Sequence, residues 1–235
     1  RNYLRVQNNP DLNWLFLCAN AGGMPDVSEF AEFQGVLNIS LDRDDIEDLL
    51  FAASPTALRV SQPAEDLIIF ENSLIVDVDF SAKHSLNTGI QRVTRNTVQR
   101  WEEFTPVVWD DTFTYMRQLN SEELGRLNPT QQQVMPGQCD ENVMVLPYKS
   151  TLFWPEVPSS TASRNISALA AQTNSLCIAI GYDFIPVTSA VEVTPADTDR
   201  FTSYLSTVKY FDKVLAISDS TNNEFSGFNR MLAAQ

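Results

Sequence analysis

Along the chain, short continuous apolar runs alternate with stretches whose apolar residues return every three or four positions. Runs of the first kind, each predicting a strand, are Asn13–Ala19, Gly35–Ile39, Leu74–Val78, Pro106–Trp109, Val143–Leu146, Leu176–Ile180 and Phe211–Ile217. Continuous apolar character marks strands buried on both faces, as in parallel sheets. Stretches of the second kind predict helices around Val27–Phe33 and over Arg43–Ala53, where Ile46, Leu49, Leu50 and Ala53 share a face. Further helices are predicted from Thr88, at Ser121–Leu127, over Ser163–Gln172, after Thr194 and from Thr221. Breaks fall at Gly22-Gly23-Met24-Pro25, at Ser54-Pro55 and at Gln62-Pro63-Ala64-Glu65.

Helix starts carry their own signals. Thr88 and Gln91 have the spacing of a capping box, as do Thr221 and Glu224. Thr194 is a candidate N-cap, with Pro195 at the first helical position and Asp197 in the first turn. The helix from Thr88 is expected to bury Ile90, Val93, Thr97, Val98 and Trp101, with Gln91, Arg92, Arg95, Gln99 and Arg100 elsewhere. The helix after Thr194 is expected to bury Phe201, Tyr204, Leu205 and Val208. Residues 118–142, rich in Gln, Asn, Pro and Gly, look like an insertion. Alternating strands and helices imply an α/β fold: a Rossmann-like parallel sheet with helices on both faces and right-handed crossovers.

Charge then divides the chain. It has 235 residues and a formal net charge of −14. Residues 1–71 carry 12 acidic and 4 basic side chains, which places a boundary near residue 70. Residues 1–71 read as a small acidic α/β extension or the tail of a preceding domain, and 72–235 as the Rossmann-like domain. An apolar content of 43% supports a core and excludes wholesale disorder. Acidity argues against nucleic acid and anionic membrane as partners, and no apolar run approaches the ~20 residues of a transmembrane segment. Cys18, Cys139 and Cys177 have no paired spacing, which suits a reducing compartment. His84 is the only histidine, and no ligand spacing for a metal is present.

In open parallel sheets, ligands bind beyond the carboxyl ends of the strands. Asp77–Gln91, Gly181–Pro186 and Ile217–Thr221 occupy such positions. The Thr88-Gly89 corner is either a simple cap or an anion site at a helix N-terminus. Arg92 and Arg95 are either solvated charges or cations for an anionic ligand. Asp183, after Tyr182, is either a turn residue or a carboxylate at the cleft lip. Ser218 and Ser220 read as helix caps, and both G-x-G-x-x-G and the P-loop motif are absent.

Taken in order, LIVDVDFS, TGIQRVTRN, IAIGYDFIPV and FDKVLAISDST resemble the N-terminal domain of glycosyltransferase family 4 (group 1). These are retaining GT-B enzymes, and the resemblance is to members that assemble bacterial polysaccharides. It covers residues 72–235 and leaves 1–71 unexplained. It implies sugar transfer from a nucleotide-sugar to a glycan or lipid-linked acceptor, in a cleft between two Rossmann-like domains. The N-terminal domain holds the acceptor, and catalysis needs neither a metal nor a resident cofactor. By motif, the resemblance makes Asn87, Thr88, Gly89, Ile90, Gln91, Arg95, Tyr182 and Ser218 substrate-binding, and Arg92 and Asp183 catalytic. Tyr182-Asp183 stands where many relatives carry His-Asp.

The family's paired-glutamate E-x7-E motif, which belongs to the C-terminal donor domain, is absent here. The chain is therefore expected to be inactive without a donor-binding domain as partner. The resemblance implies a cytoplasmic protein, peripheral to the inner membrane face at most through other parts. The rival readings are a non-catalytic glycan-binding or scaffolding module, and a nucleotide-dependent epimerase or dehydrogenase. The missing glycine fingerprint argues against the last.

Overall fold

The computed structural model describes residues 9–40, 46–127, 141–189 and 194–234. Three helices come first: α1 (Pro10–Ala21), α2 (Val27–Ser40) and α3 (Ile46–Arg59). The strands expected at Asn13–Ala19 and Gly35–Ile39 are thus both helical. In α1, Asn9 caps the N-terminus by accepting from Asp11 N at 3.1 Å, with Pro10 in the first turn. Trp14, Leu17, Cys18 and Ala21 are buried at helical spacing, a period masked by the apolar residues between them. Gly22 ends the helix in the left-handed region (φ 63°), and a Cβ there would lie 2.6 Å from Pro63 Cβ.

At the start of α2, Asp26 accepts from Glu29 N at 2.9 Å while Glu29 accepts from Asp26 N at 2.8 Å. This reciprocal cap starts a helix that continues through Gly35. The break expected at Ser54-Pro55 lies inside α3. Pro55 cannot donate to the Phe51 carbonyl, and Ser54 Oγ does so instead at 2.6 Å. Residues 42–45 of the acidic stretch before this helix, Cys139, and residues 128–140 of the expected insertion lie outside the described residues.

The remaining elements are β1 (Asp66–Glu71), β2 (Leu74–Asp77), α4 (Asp79–Lys83), α5 (Gly89–Val98), β3 (Thr105–Trp109), β4 (Met116–Gln118) and α6 (Ser121–Leu127). They continue with β5 (Val143–Tyr148), β6 (Thr151–Trp154), α7 (Ser163–Gln172), β7 (Leu176–Gly181), α8 (Ile185–Thr188), α9 (Pro195–Val208), β8 (Lys213–Ala216) and α10 (Asp219–Ala233). A six-stranded sheet has the order β4-β3-β2-β6-β7-β8, parallel except for β4. β1 and β5 form a separate parallel pair. The molecule is thus mixed α/β, with a parallel sheet flanked by helices.

Alternate strand residues feed two cores. Val76, Val78, Val108 and Phe153 face α5 and α6 through Val98 and Leu127. Ile75, Val107, Leu152, Trp154, Cys177 and Ala179 face the other way, onto α7 and α9. Trp14, Phe30 and Phe33 belong to this second core, so α1 and α2 add a further layer outside α7. The chain leaves β2 for β3 on one side and returns to β6 on the other. The order therefore reverses between β2 and β6, and their carboxyl ends frame the switch point. No helix among the described residues is long and apolar enough to cross a membrane.

Candidate functional site

A cleft of about 270 Å³ opens at that switch point. Its floor is formed by Asp77 at the end of β2 and Glu156 just beyond β6, with Asp79, Phe80, His84, Trp109, Phe113 and Arg200 around them. Each carboxylate is placed by backbone geometry. Asp77 is buried and accepts from Asp79 N and from the Trp109 indole N–H, both at 3.0 Å. Glu156 is buried and accepts from Phe80 N at 2.7 Å, Ser81 N at 3.2 Å and Ser81 Oγ at 2.6 Å. Asp79 accepts from Trp109 N at 2.9 Å and pairs with Lys83 at 2.8 Å.

Electrostatics follow from this crowding. Burial pushes the Asp77 carboxyl up to about 7, and the charges of Asp79 and Glu156 add to the shift. Burial also raises Glu156, outweighing the bonds from Ser81 and Phe80 that favour its charged form. Arg200, from α9, lies 5.4 Å above the Phe80 ring and donates to the Val157 carbonyl at 2.5 Å. Its Nε has no partner among the described residues. The cleft thus combines carboxylate acceptors, aromatic walls and one incompletely bonded guanidinium. Such walls suit a polyhydroxylated ligand, whose hydroxyls donate to carboxylates and whose C–H faces pack on rings.

The expected segment Asp77–Gln91 supplies Asp77, Asp79, Phe80 and His84 to this cleft, but the individual site residues expected from the sequence do not line it. Asn87, Thr88, Gly89 and Arg92 are exposed, Ile90 is half-buried and Gln91 is buried. Thr88 is the N-cap of α5, but its hydroxyl meets the Gln91 side chain instead of a backbone N–H. The buried face of α5 is Gln91, Thr94 and Val98, rotated from the expected one, and Trp101 is 37% exposed. The cause is the strand-end contact: Thr94 Oγ1 reaches the Pro155 carbonyl at 3.3 Å. Arg95 donates to Leu86 O and Asn87 Oδ1 with one terminal nitrogen, and to Ser81 O and His84 O with the other. It braces the loop that leads into α5.

At the other segments, Tyr182 is buried, and its hydroxyl donates to the same Pro155 carbonyl at 2.5 Å. Burial pushes that phenol up, with the charge of Glu156 adding to it. Asp183 is exposed and accepts from Ile185 N at 3.3 Å, the turn geometry. Ser218 caps α10 by accepting from Thr221 N at 3.2 Å, so this helix begins a turn before the expected Thr221. Glu224 reaches back to Phe184 N at 3.3 Å. The three expected segments lie at the carboxyl ends of β2, β7 and β8, and the Pro155 carbonyl links Tyr182 to Thr94 of α5.

Glu156, Trp109, Phe113 and Arg200 carried no motif in the sequence. The strand that leads to Glu156, β6, is the four-residue Thr151–Trp154, short enough to pass unread between Ser150 and Pro155. A carboxylate two residues beyond an apolar run that ends in Trp was the available signal. Comparison with protein-family models, with curated proteins and with solved structures found no match to this chain.

Proposed function

We propose that this chain is the acceptor-side half of a retaining glycosyltransferase of GT-B type. In this reading the switch-point cleft receives the acceptor sugar of a glycan or lipid-linked saccharide, and a separate donor-binding domain brings the nucleotide-sugar. The observation that carries the reading is the cleft itself: Asp77, Asp79 and Glu156 beside Phe80, Trp109 and Phe113, at the reversal of strand order. The four ordered motifs support it, because their segments meet at that same edge.

In this reading the cleft and the start of α5 divide the labour. Asp79 and Glu156 accept hydrogen bonds from acceptor hydroxyls, and the rings exclude water from the sugar face. The exposed Thr88-Gly89 start of α5 faces solvent, where a second domain can present donor phosphates to Arg92. A Cβ at Gly89 would meet no atom of the described residues within 4 Å, which leaves room for that approach. Transfer with retention builds positive charge on the sugar and negative charge on the leaving phosphate, and cations placed beside the phosphate lower the barrier. Arg92 and Asp183 remain the proposed catalytic residues, and Arg200 joins them as the cation nearest the acceptor.

The test is transfer of radiolabelled sugar by the protein together with its donor-binding domain. Arg92→Ala, Asp183→Ala and Arg200→Ala should each lower transfer about a hundredfold while the protein stays folded. Unchanged rates in all three, or turnover of nucleotide-sugars by this chain alone, would overturn the reading.

A further inference from the structure

A larger cavity, about 590 Å³, adjoins the cleft and shares Phe113 and Ser160 with it. Its walls come from α7, α9, the loop after β3, and the N-terminal helices through Asp26 and Arg59. None of the sequence motifs touches it. Its lining is mainly hydroxyl and carboxylate, with Phe113 as its aromatic ring.

Phe113 is held in an unusual way. Its φ is 57°, in the left-handed region that aromatic residues rarely adopt. The loop around it is over-determined. Buried Asp110 accepts from Thr112 N at 2.8 Å, Thr114 N at 2.5 Å and Tyr115 N at 2.9 Å. Asn165 of α7 donates from Nδ2 to the Phe113 carbonyl at 2.6 Å, and Lys83 Nζ lies 5.4 Å from the ring centroid. Met24 N bonds to the Thr114 carbonyl at 2.8 Å, which ties the N-terminal helices to the same loop. Strain of this kind persists where surrounding structure fixes a side chain for a task. Asn165 is 3% exposed and lines the cavity, and its Oδ1 has no partner among the described residues.

We propose that this cavity is a second glycan subsite, with Phe113 as the stacking platform at the junction and Asn165 Oδ1 accepting from a sugar hydroxyl. The acceptor is then an oligosaccharide, and the N-terminal helices help to select its length. This rests on the reading of the cleft as the acceptor site. A monosaccharide fills the cleft, whereas a longer chain passes over Phe113 into the second cavity. Asp199 and Asp26 offer further acceptors there.

The experiment is isothermal titration calorimetry of the full chain with common hexoses and with the trisaccharides built from them. The trisaccharide that fits should bind about tenfold more tightly than its parent monosaccharide. Ser203→Trp, which fills the cavity from the α9 wall, should abolish that gain and leave the monosaccharide affinity within about twofold. Asp199→Ala, a milder change at an exposed helix position, should lower the gain about threefold. If no saccharide binds, the acceptor reading of the cleft fails. If a monosaccharide binds but the longer chain gains nothing, or the gain survives both variants, the second subsite alone is refuted.

Discussion

Replacing Asp77 with asparagine separates what the carboxyl does as a hydrogen-bond acceptor from what it does as a charge. In the folded chain Asp77 accepts from two N–H donors, Asp79 N and the Trp109 indole. An asparagine offers one oxygen and turns an NH2 group toward the other donor. That mismatch costs about 1–3 kcal/mol, independent of pH. The charge term has a different shape. Unfolded, the carboxyl releases its proton near the ordinary aspartate value of 3.8, and folded it holds the proton up to about 7. Between these values the native state binds more protons than the unfolded state, so stability falls as pH rises. Over the full interval the loss is on the order of 4 kcal/mol.

Urea unfolding followed by circular dichroism at a series of pH values reads both terms. Wild type should lose stability from about pH 4 to about pH 7 and then level off. Asp77→Asn should start at or below wild type near pH 4 and stand above it near about pH 8. Glu156, raised in the same sense, leaves a residual slope in the variant. Parallel curves for the two proteins would refute the placement of a protonated Asp77 at the cleft floor.

Three further substitutions follow from the packing. Arg95→Ala removes four bonds to the loop before α5, and it should destabilise the chain by about 2 kcal/mol. Hydrogen exchange should then quicken at residues 84–88, and unchanged exchange would count against the brace. Gly181→Ala places a Cβ 2.5 Å from Phe225 and 2.6 Å from Val214, an overpacking that should cost about 1–3 kcal/mol in denaturant unfolding. A neutral result would mean that α10 is free to shift. Lys149→Gly, at an exposed residue with φ 47°, should stabilise the chain by about 1 kcal/mol, since glycine takes that conformation without strain. A loss of stability there would refute the strain argument.

What could be read from the sequence follows the length and clarity of each signal. Thr194-Pro195 marked the start of α9 correctly, and Thr194 does accept from Asp197 N at 3.2 Å. Ser163–Gln172 is helical over its expected span, and its Ala168-Leu169-Ala170-Ala171 run is made of strong helix formers. In α1 the residues between the buried positions are apolar as well, so burial on one face could not be distinguished from a strand. Pro55 suggested an interruption that lies inside α3, and the strand expected from Gly35 is instead the second half of α2.

The candidate site was legible only in outline. The rule that ligands gather at strand carboxyl ends led to the edge of the sheet at which the cleft opens. It could not supply the partner strand across the switch point, because β6 is short and Glu156 belongs to no motif. Arg95 and Arg92 look alike in sequence, yet one is tied to loop carbonyls and the other faces solvent. That difference depends on how the chain after β2 curls back over α5, which no local pattern records.

The central claim, that the switch-point cleft receives a sugar, is tested most directly by titrating the isotopically labelled chain with saccharides and following backbone amide shifts. The account predicts that a binding saccharide moves the amides of 77–84, 109–113 and 156–160, which border the cleft. Saccharide-induced shifts confined to other parts of the sheet, or none across the panel, would contradict it.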